Sequence, residues 1–490
     1  MVTARAGGVP NVISVFNDRS GRPLPSGPLD FEIALDNSKV THRKGVTVVG
    51  WATSLDGTNW NYRGKLDTPP GWAALLGDPT VAVDFTNPAV VYAATLALDN
   101  AGWVTQFGSA QSVTSPDVPE PNGFCVRRST DGGITFPQAG CVAVPLHKYD
   151  KTAIAVDGTG RAWVASEDRL NSTIGIWRSL SAGATWSTFN DVTPQCDPVG
   201  DPFCSDPDKP IGFLGDFEPR LQADDFGDIW LLSVDQGTAG TELRTVSWNS
   251  TTQIADGYFS FTPACGLGNV VSNTNPIVGG KIIRNAFRYT FGVGLTNRSR
   301  DTAIRVAYEY EISGKRHVQA LEVSNDQPGQ CAIIPGWDSV SAGAFGEQQF
   351  QASLSYQYRG VSAGGIRNPE WWLGFIHNGG VPNVNDTYLG FVAAPLNDFG
   401  TPGPLPGGIP TPTLLPFVLM TPSNYYACVR NGGYWGDYFG ITQFNTTAND
   451  TGWKTVSTFP DSRPAPPCVA QAAIGAPMQI AAFTTELSSP

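Results

Sequence analysis

Acidic residues stand at the start of segments that resemble one another along the chain. Asp78, Asp150 and Asp216 each precede a short apolar strand, and weaker copies of the segment begin near Glu347 and Asp437. If the segments are repeats of one unit, these carboxylates are equivalent and repel one another unless cations or water lie between them. The pattern predicts a ligand-binding or Ca²⁺ site. The alternative is that each carboxylate binds only nearby backbone N–H groups.

Other residues extend this candidate site. Glu218 and Arg220 lie just after the third acidic start and are predicted to bind ligand with it. For Ca²⁺, which takes several oxygen ligands, the predicted set is Asp78, Asp150 and Asp437. A second candidate for Ca²⁺ is an acidic loop that contains Asp197, Asp201, Asp206 and Asp208. That loop lacks the spacing of an EF-hand, so a solvated acidic loop is its alternative interpretation.

The repeated unit consists of an acidic residue, a strand, a turn and a second strand. Its copies start near residues 11, 78, 150, 216, 275, 347 and 437, and seven units in 490 residues average 70 residues each. A four-stranded propeller blade takes roughly 40–50 residues plus loops. We therefore predict an all-β fold with one domain at 1–490. It is a single β-propeller of seven four-stranded blades, with six or eight as alternatives and a Pro- and Gly-rich loop between blades at 397–422.

A short motif closes the second unit. Residues 129–136 read Ser-x-Asp-x-Gly-x-Thr-Phe, residues 179–186 repeat the pattern with Ser181 at the Asp position, and residues 54–60 repeat it one residue short. The motif resembles the Asp-box of sialidases and related propellers. In that family it is a stabilising turn, so the resemblance implies a sialidase-like propeller fold in which Asp131 binds its own backbone.

The chain departs from the sialidase pattern at the residues that carry catalysis. It has no Arg-Ile-Pro near the N-terminus, and no set of its arginines matches the arginine triad that holds the substrate carboxylate in that family. None of the four histidines pairs with a Ser or Cys motif, so hydrolysis by a catalytic triad is not indicated. The catalytic residues are unknown at this point.

The eight cysteines fall into neighbouring pairs without a CxxC pattern, which argues against zinc. Sequential pairing predicts the disulfides Cys125–Cys141, Cys196–Cys204, Cys265–Cys331 and Cys428–Cys468. Disulfides indicate an oxidising compartment, and eight buried thiols are the alternative. We expect an extracellular or secreted protein, although the first residues lack the apolar core of a signal peptide.

Charge narrows the classes of partner. The net charge of −12 opposes binding to a phosphate backbone, so we expect no nucleic-acid partner. No apolar stretch reaches the length that crosses a bilayer, so we expect no membrane span.

These observations lead to two hypotheses about function. The first is an extracellular propeller that binds or cleaves a glycan at the mouth of its channel; as an enzyme it would be a glycoside hydrolase or a lyase acting on a polysaccharide. The alternative is a non-catalytic adhesion or structural subunit of an extracellular or virion assembly, with a protein surface as its partner. The sequence leaves open whether the chain is an enzyme.

Overall fold

The computed structural model of the protein is built almost entirely of β-strands. The structure describes residues 1–6, 9–17, 40–84, 86–115, 119–187, 216–235, 242–252, 255–260, 277–278, 281–284, 289–295, 302–312, 315–324, 331–338, 349–361, 367–378, 389–397, 413–414, 418–419, 433–434, 440–445, 453–461 and 479–486. The chain divides into two compact units. The first comprises Met1–Gln236, Thr245–Tyr258 and Ala472–Pro477, and the second comprises Gly237–Arg244, Phe259–Gln471 and Met478–Pro490.

The first unit holds sixteen whole strands and parts of two more. They are β1 (Val2–Ala6), β2 (Val9–Asn17), β3 (Val40–Arg43), β4 (Val46–Thr47), β5 (Val49–Ser54), β6 (Asn61–Lys65), β7 (Trp72–Val83), β8 (Val91–Asp99), β9 (Ser112–Ser115), β10 (Gly123–Ser129), β11 (Gln138–Ala143), β12 (Tyr149–Val156), β13 (Ala162–Asp168), β14 (Thr173–Arg178), β15 (Asp216–Ala223), β16 (Ile229–Asp235), β17 (Glu242–Trp248) and β18 (Ala255–Ser260). A helix, α1 (Asn100–Phe107), follows β8. Asp99 caps it by accepting a hydrogen bond from the N–H of Gly102 at 2.6 Å.

These strands form successive antiparallel sheets in which the chain advances from one edge to the other. The orders are β1-β2-β5-β6, then β7-β8-β10-β11, then β12-β13-β14, then β15-β16-β17-β18, and β4 adds a short parallel pairing to β7. From the second sheet to the fourth, the first strands lie near one another, because β12 packs beside both β7 and β15. Residues at the same position on these first strands are therefore brought together.

Apolar side chains fill the space between neighbouring sheets. Between the second and third sheets, Phe124 packs on Trp177 and Trp186 with ring centroids 4.8 and 5.5 Å apart. Between the third and fourth, the Trp163 and Trp248 centroids lie 5.7 Å apart. Fully burying one large apolar side chain contributes roughly 1.5–3 kcal/mol, so these layers hold the sheets in register with one another.

The turns after the third strands of three sheets share one hydrogen-bond pattern. In each, a serine hydroxyl accepts the N–H of a downstream glycine: Ser54 from Gly57 at 2.8 Å, Ser129 from Gly133 at 2.8 Å, and Ser179 from Gly183 at 2.6 Å. In the second turn the Asp131 carboxylate accepts the N–H of Thr135 at 2.9 Å and its hydroxyl at 2.6 Å. Its hydrogen bonds are therefore local to the turn, as expected for a structural role.

A second set of equivalent turns joins the first and second strands. Asp84, Asp157 and Asp224 are each almost fully buried, and each accepts two or more hydrogen bonds within its own turn. The carboxylates of Asp157 and Asp224 also accept the indole N–H of a tryptophan six residues ahead, at 2.9 and 3.0 Å. These buried carboxylates are structural because their hydrogen bonds stay within the turn and its strand.

The second unit repeats the antiparallel architecture. Its strands are β19 (Ile277–Val278), β20 (Lys281–Arg284), β21 (Tyr289–Leu295), β22 (Thr302–Ile312), β23 (Lys315–Ser324), β24 (Cys331–Asp338), β25 (Gln349–Val361), β26 (Arg367–Asn378), β27 (Leu389–Asn397), β28 (Thr413–Leu414), β29 (Val418–Leu419), β30 (Gly433–Tyr434), β31 (Gly440–Asn445), β32 (Trp453–Asp461) and β33 (Gln479–Glu486). They form the sheets β21-β22-β23-β24, β25-β26-β27-β28 and β31-β32-β33, plus a small sheet β19-β20-β30.

The strand-rich class predicted from the sequence is confirmed, and individual positions shift. The predicted start near residue 11 lies in a second strand, because β1 precedes it. The start near 275 is followed by the short strand β19, and the next four-stranded sheet begins with β21 at Tyr289. The predicted loop at 397–422 contains β28 and β29, which both pair with β27. The propeller closure and the blade count stay predictions.

Candidate functional site

Three successive first strands carry a bulge at the same position. The pairing slips by one residue between Gly77 and Thr80 on β7, at Lys151 on β12, and between Phe217 and Arg220 on β15. The bulged residue has left-handed backbone in every case: φ is 48° at Asp78, 53° at Lys151 and 53° at Glu218. Non-glycine residues rarely adopt this conformation, and bulges of this kind re-aim side chains near functional sites.

The sheet supports two of these bulges with a buried hydroxyl from the second strand. Thr95 donates to the carbonyl oxygen of Gly77 at 2.7 Å, and Ser166 donates to the carbonyl oxygen of Asp150 at 3.1 Å. Both carbonyls belong to the residue just before the left-handed one. The support explains how the strained backbone persists, because a carbonyl freed by the bulge would otherwise lack a partner.

Asp78 is bound from both neighbouring sheets. Its N–H donates to the side-chain oxygen of Asn17 at 2.9 Å, and its carbonyl accepts the hydroxyl of Thr152 at 2.7 Å. Its carboxylate lies 3.4 Å from the ammonium of Lys151, and that lysine side chain is only 11% exposed. Strands β2, β7 and β12 of three neighbouring sheets thus meet at one residue.

Asp150 and Glu167 form a pair of carboxyl groups on β12 and β13. They are directly opposite in the antiparallel register, so their side chains lie on the same face of the sheet. The guanidinium of Arg169 lies 3.3 Å from Asp150 and 3.9 Å from Glu167. Glu167 also accepts the backbone N–H of Glu218 at 3.2 Å. We call Asp78, Asp150 and Glu167, with the cations Lys151 and Arg169, the carboxylate cluster.

Burial and neighbouring charges set the protonation of this pair. Burial raises the pKa of Asp150 to about 6; Lys151 and Arg169 oppose the rise, and Asp78 adds to it. Burial and then the charge of Asp150 raise the pKa of Glu167 to about 7, against the N–H of Glu218 and the two cations. Both carboxyl groups therefore exchange protons near neutral pH.

This arrangement suits two kinds of chemistry. Carboxyl groups with pKa values near the working pH can donate and accept protons during bond cleavage. The same oxygens accept hydrogen bonds from ligand hydroxyls. The Asp150 side chain is 23% exposed and that of Arg169 is 65% exposed, so solvent reaches one side of the cluster.

The structure brings some of the predicted site residues together and leaves others apart or outside the described residues. It brings Asp78 and Asp150 together, and Glu218 reaches the cluster through its backbone N–H. Arg220 lies on β15 opposite Leu232. Asp216 pairs with Asp235 through the backbone, and its side chain lies outside the described residues, as do Glu347 and Asp437.

The acidic residues that were expected to be equivalent do not occupy equivalent positions in the three sheets. By bulge and backbone conformation, the counterparts of Asp78 are Lys151 and Glu218, whereas Asp150 lies one residue and Asp216 two residues before that position. The physical reason is that a bulge adds one residue to the strand, and in β12, which is buried on both faces over most of its length, no alternation of apolar residues reveals it. The position carries a cation in one of the three sheets.

Sequence reasoning missed Glu167, Lys151 and Arg169 as members of the site. The available signal was the charged run at the end of β13, which continues into Arg169. Glu167 and Arg169 are two residues apart, so their side chains are expected on the same face, and Asp168 between them is expected on the opposite face. A charged pair at the end of an otherwise apolar strand indicates a candidate functional site.

The predictions that concern metal and disulfides have separate outcomes. Within the described part of the chain, no group of three or more His, Cys, Asp or Glu is arranged to hold a metal ion. The acidic loop with Asp197 to Asp208 lies outside the described residues, and Ca²⁺ stays a prediction.

The disulfide Cys125–Cys141 is confirmed and joins β10 to β11. The other six cysteine side chains lie outside the description.

The chain is similar to several solved structures. No protein-family model matches the chain, and no curated protein matches its sequence. Similar solved structures include the Hadza microbial sialidase Hz136, with 13% identity and a TM-score of 0.37 over 83% of this chain and 70% of that one. A PL25 ulvanlyase has 10% identity and a TM-score of 0.37 over 90% and 91%. The Penicillium chrysogenum alpha-L-arabinanase has 9% identity and a TM-score of 0.36 over 70% and 81%. Likenesses at these scores carry no argument about function.

Among the described residues, none of the helical structure is long and apolar enough to cross a membrane.

Proposed function

We propose that the chain binds a glycan at the carboxylate cluster and that Asp150 and Glu167 are the groups that act on it. The observation that carries the proposal is the directly opposed Asp150–Glu167 pair on β12 and β13. Like charges in this position destabilise a sheet, and the raised pKa values of both groups indicate that Lys151 and Arg169 do not fully offset the cost, which favours a functional over a purely structural role. A hydroxyl-rich ligand fits the pair, because its hydroxyls would donate to the Asp150 carboxylate, whose side chain is 23% exposed.

Cleavage of the glycan is the stronger form of the proposal. One carboxyl group with a raised pKa can act as the acid and a second as the base, which is the arrangement that glycoside hydrolysis uses. In this chain Glu167, whose side chain is 8% exposed, is the better candidate for the acid, because its pKa is raised to about 7. Asp150, more exposed and with the lower pKa of about 6, is the candidate base.

The proposal includes a fold and a location. Four successive antiparallel sheets of the first unit support an Asp-box β-propeller, because three of them share equivalent turns and three share equivalent bulges, and the ligand would approach the end of the first strands. The disulfide Cys125–Cys141 supports an extracellular location, since such bonds persist in oxidising compartments. Ca²⁺ is the less favoured occupant of the cluster, because the ammonium of Lys151 already neutralises Asp78.

The test is ligand-dependent thermal stability of the purified, non-reduced protein. A panel of neutral, uronic and sialylated glycans, with separate EDTA and Ca²⁺ arms, is scanned for an increase in Tm, because a ligand that binds only the folded state must raise it. We expect at least one glycan to raise Tm, and the Asp150→Asn and Glu167→Gln variants to lose the increase. The matched control is Asp67→Asn, which replaces a carboxylate outside the cluster that is 95% exposed.

The outcomes separate the two functional hypotheses. A glycan-dependent rise in Tm that both cluster variants abolish supports binding at this site, and reducing-end or unsaturated products then show cleavage. No rise with any glycan would contradict the proposal and favour a non-catalytic subunit of an assembly. A fall in Tm with EDTA alone would instead indicate a stabilising metal.

A further inference from the structure

A histidine and a buried aspartate meet beside the cluster on the other face of the same strands. Nδ1 of His147 lies 2.5 Å from a carboxylate oxygen of Asp168. The Asp168 side chain is 3% exposed and that of His147 is 33% exposed. Asp168 lies one register step from Glu167, and neighbouring residues of a strand point to opposite faces. The two sites are therefore distinct.

The contacts of Asp168 fix which ring nitrogen carries the proton. A carboxylate only accepts hydrogen bonds, so the short contact requires N–H at Nδ1 of His147. The same oxygen accepts the side-chain N–H of Asn171 at 2.7 Å, and the other oxygen accepts the backbone N–H of Leu170 at 3.1 Å. The ring also stacks on Tyr149, with planes 7° apart and centroids 5.8 Å apart. The lone pair of the imidazole is then at Nε2.

Within the described chain, Nε2 of His147 makes no hydrogen bond. The backbone on either side of the pair is strained: φ is 67° at Leu146, just before the histidine, and 52° at Ser172, just after Asn171. Left-handed backbone at non-glycine residues costs about 1–2 kcal/mol each and concentrates at functional sites. Leu146 is also 85% exposed, which hydrophobic burial does not explain.

We propose that His147 and Asp168 form a second functional site, in which Nε2 of His147 accepts a proton from a ligand hydroxyl group and Asp168 positions the ring. In the transfer the O–H bond breaks, an Nε2–H bond forms, and the electron pair stays on the oxygen, which becomes a stronger nucleophile. Asp168 stabilises the imidazolium that results. The proposal does not rest on glycan binding at the carboxylate cluster.

The first measurement is the tautomer of His147 by ¹H–¹⁵N NMR of ¹⁵N-histidine-labelled protein, in which only four histidines contribute signals. We expect the proton on Nδ1 in the wild type. In Asp168→Asn the new amide can donate to Nδ1, so the proton should move to Nε2. A role of Asp168 in folding alone would not reverse the tautomer.

The second measurement is hydrolysis of the probe ester p-nitrophenyl acetate, in which the activated hydroxyl attacks the carbonyl and p-nitrophenolate leaves. We expect the rate to fall roughly tenfold or more in His147→Gln and in Asp168→Asn. The controls His42→Gln and Asp67→Asn should keep the wild-type rate. Added mannitol identifies the hydroxyl source: acetate as the product indicates water, and an acetylated polyol indicates an alcohol.

Two results would overturn the proposal. One is a wild-type His147 with its proton on Nε2, and the other is an unchanged hydrolysis rate in His147→Gln. If Asp168→Asn fails to fold, the wild-type tautomer and the partly exposed His147 variant still decide the question.

Discussion

Replacing Glu167 by glutamine should change how stability depends on pH. The fold raises the pKa of Glu167 from 4.5 to about 7, so the folded chain holds this proton more tightly than the unfolded chain. The stability that results is fully present below pH 4.5 and is lost as pH rises through about 7. Glutamine has the same shape and does not titrate. Its side chain can still accept the N–H of Glu218.

The magnitude follows from the two pKa values. Each tenfold difference in proton affinity corresponds to 1.36 kcal/mol, which sets an upper limit of about 3 kcal/mol for Glu167. Local relaxation and the neighbouring charges of Asp150 and Arg169 reduce it, so about 1–3 kcal/mol is expected. Relative to the wild type, Glu167→Gln should thus gain that amount between pH 4.5 and pH 8.

The assay is denaturant unfolding of both proteins at several pH values, with Asp67→Asn as the control. The control removes an exposed carboxylate that lies 4.0 Å from Arg127, outside the cluster, so its effect on stability should be small. A difference between Glu167→Gln and the wild type that stays constant within about 0.5 kcal/mol from pH 4.5 to pH 8 would refute a buried, repelled carboxyl at this position.

Three further predictions concern the scaffold. Cys141→Ser removes a disulfide that closes 16 residues and should cost about 3 kcal/mol, measured as a lower Tm that reducing agent reproduces in the wild type. Gly133→Ala should lower Tm more than Gly71→Ala: both have left-handed backbone, but a methyl at Gly133 would lie 2.5 Å from an isoleucine side chain whereas Gly71 faces open space. Arg305→Met leaves the carboxylate of Glu322 buried without its 2.7 Å partner and should cost about 3–5 kcal/mol, most of which a second change, Glu322→Leu, should recover.

The sequence predicted the strands because their signals are local. Alternating or continuous apolar runs bounded by turn residues identified β7, β8, β12 and β13, and the long hairpin of β22 and β23 was equally clear. The hydrogen bonds of the turn motif could also be predicted, since those of Ser129 and Asp131 lie within eight residues of chain. Such features do not depend on what packs against them.

The site could be predicted only in part. Asp78 and Asp150 were recognised because an acidic residue before a strand is visible in the sequence. Lys151 was missed because β12 is buried on both faces, so its bulge interrupts no alternation of apolar residues. Glu167 was missed because its importance depends on lying directly opposite Asp150 across the sheet. The dyad of His147 and Asp168 joins residues 21 apart, which only the pairing of two strands brings together.

The shared bulge on the first strands separates the shape of a position from its chemical identity. Three sheets hold the same left-handed backbone there, yet the side chains are an acid, a base and an acid. The carbonyl before two of these residues is supported from the adjoining strand, so the scaffold does not require any one side chain at the bulge. The residue at the bulge can therefore be exchanged between sheets. Such an exchange would change the charge that each sheet presents to a ligand and would keep the backbone conformation of the bulge.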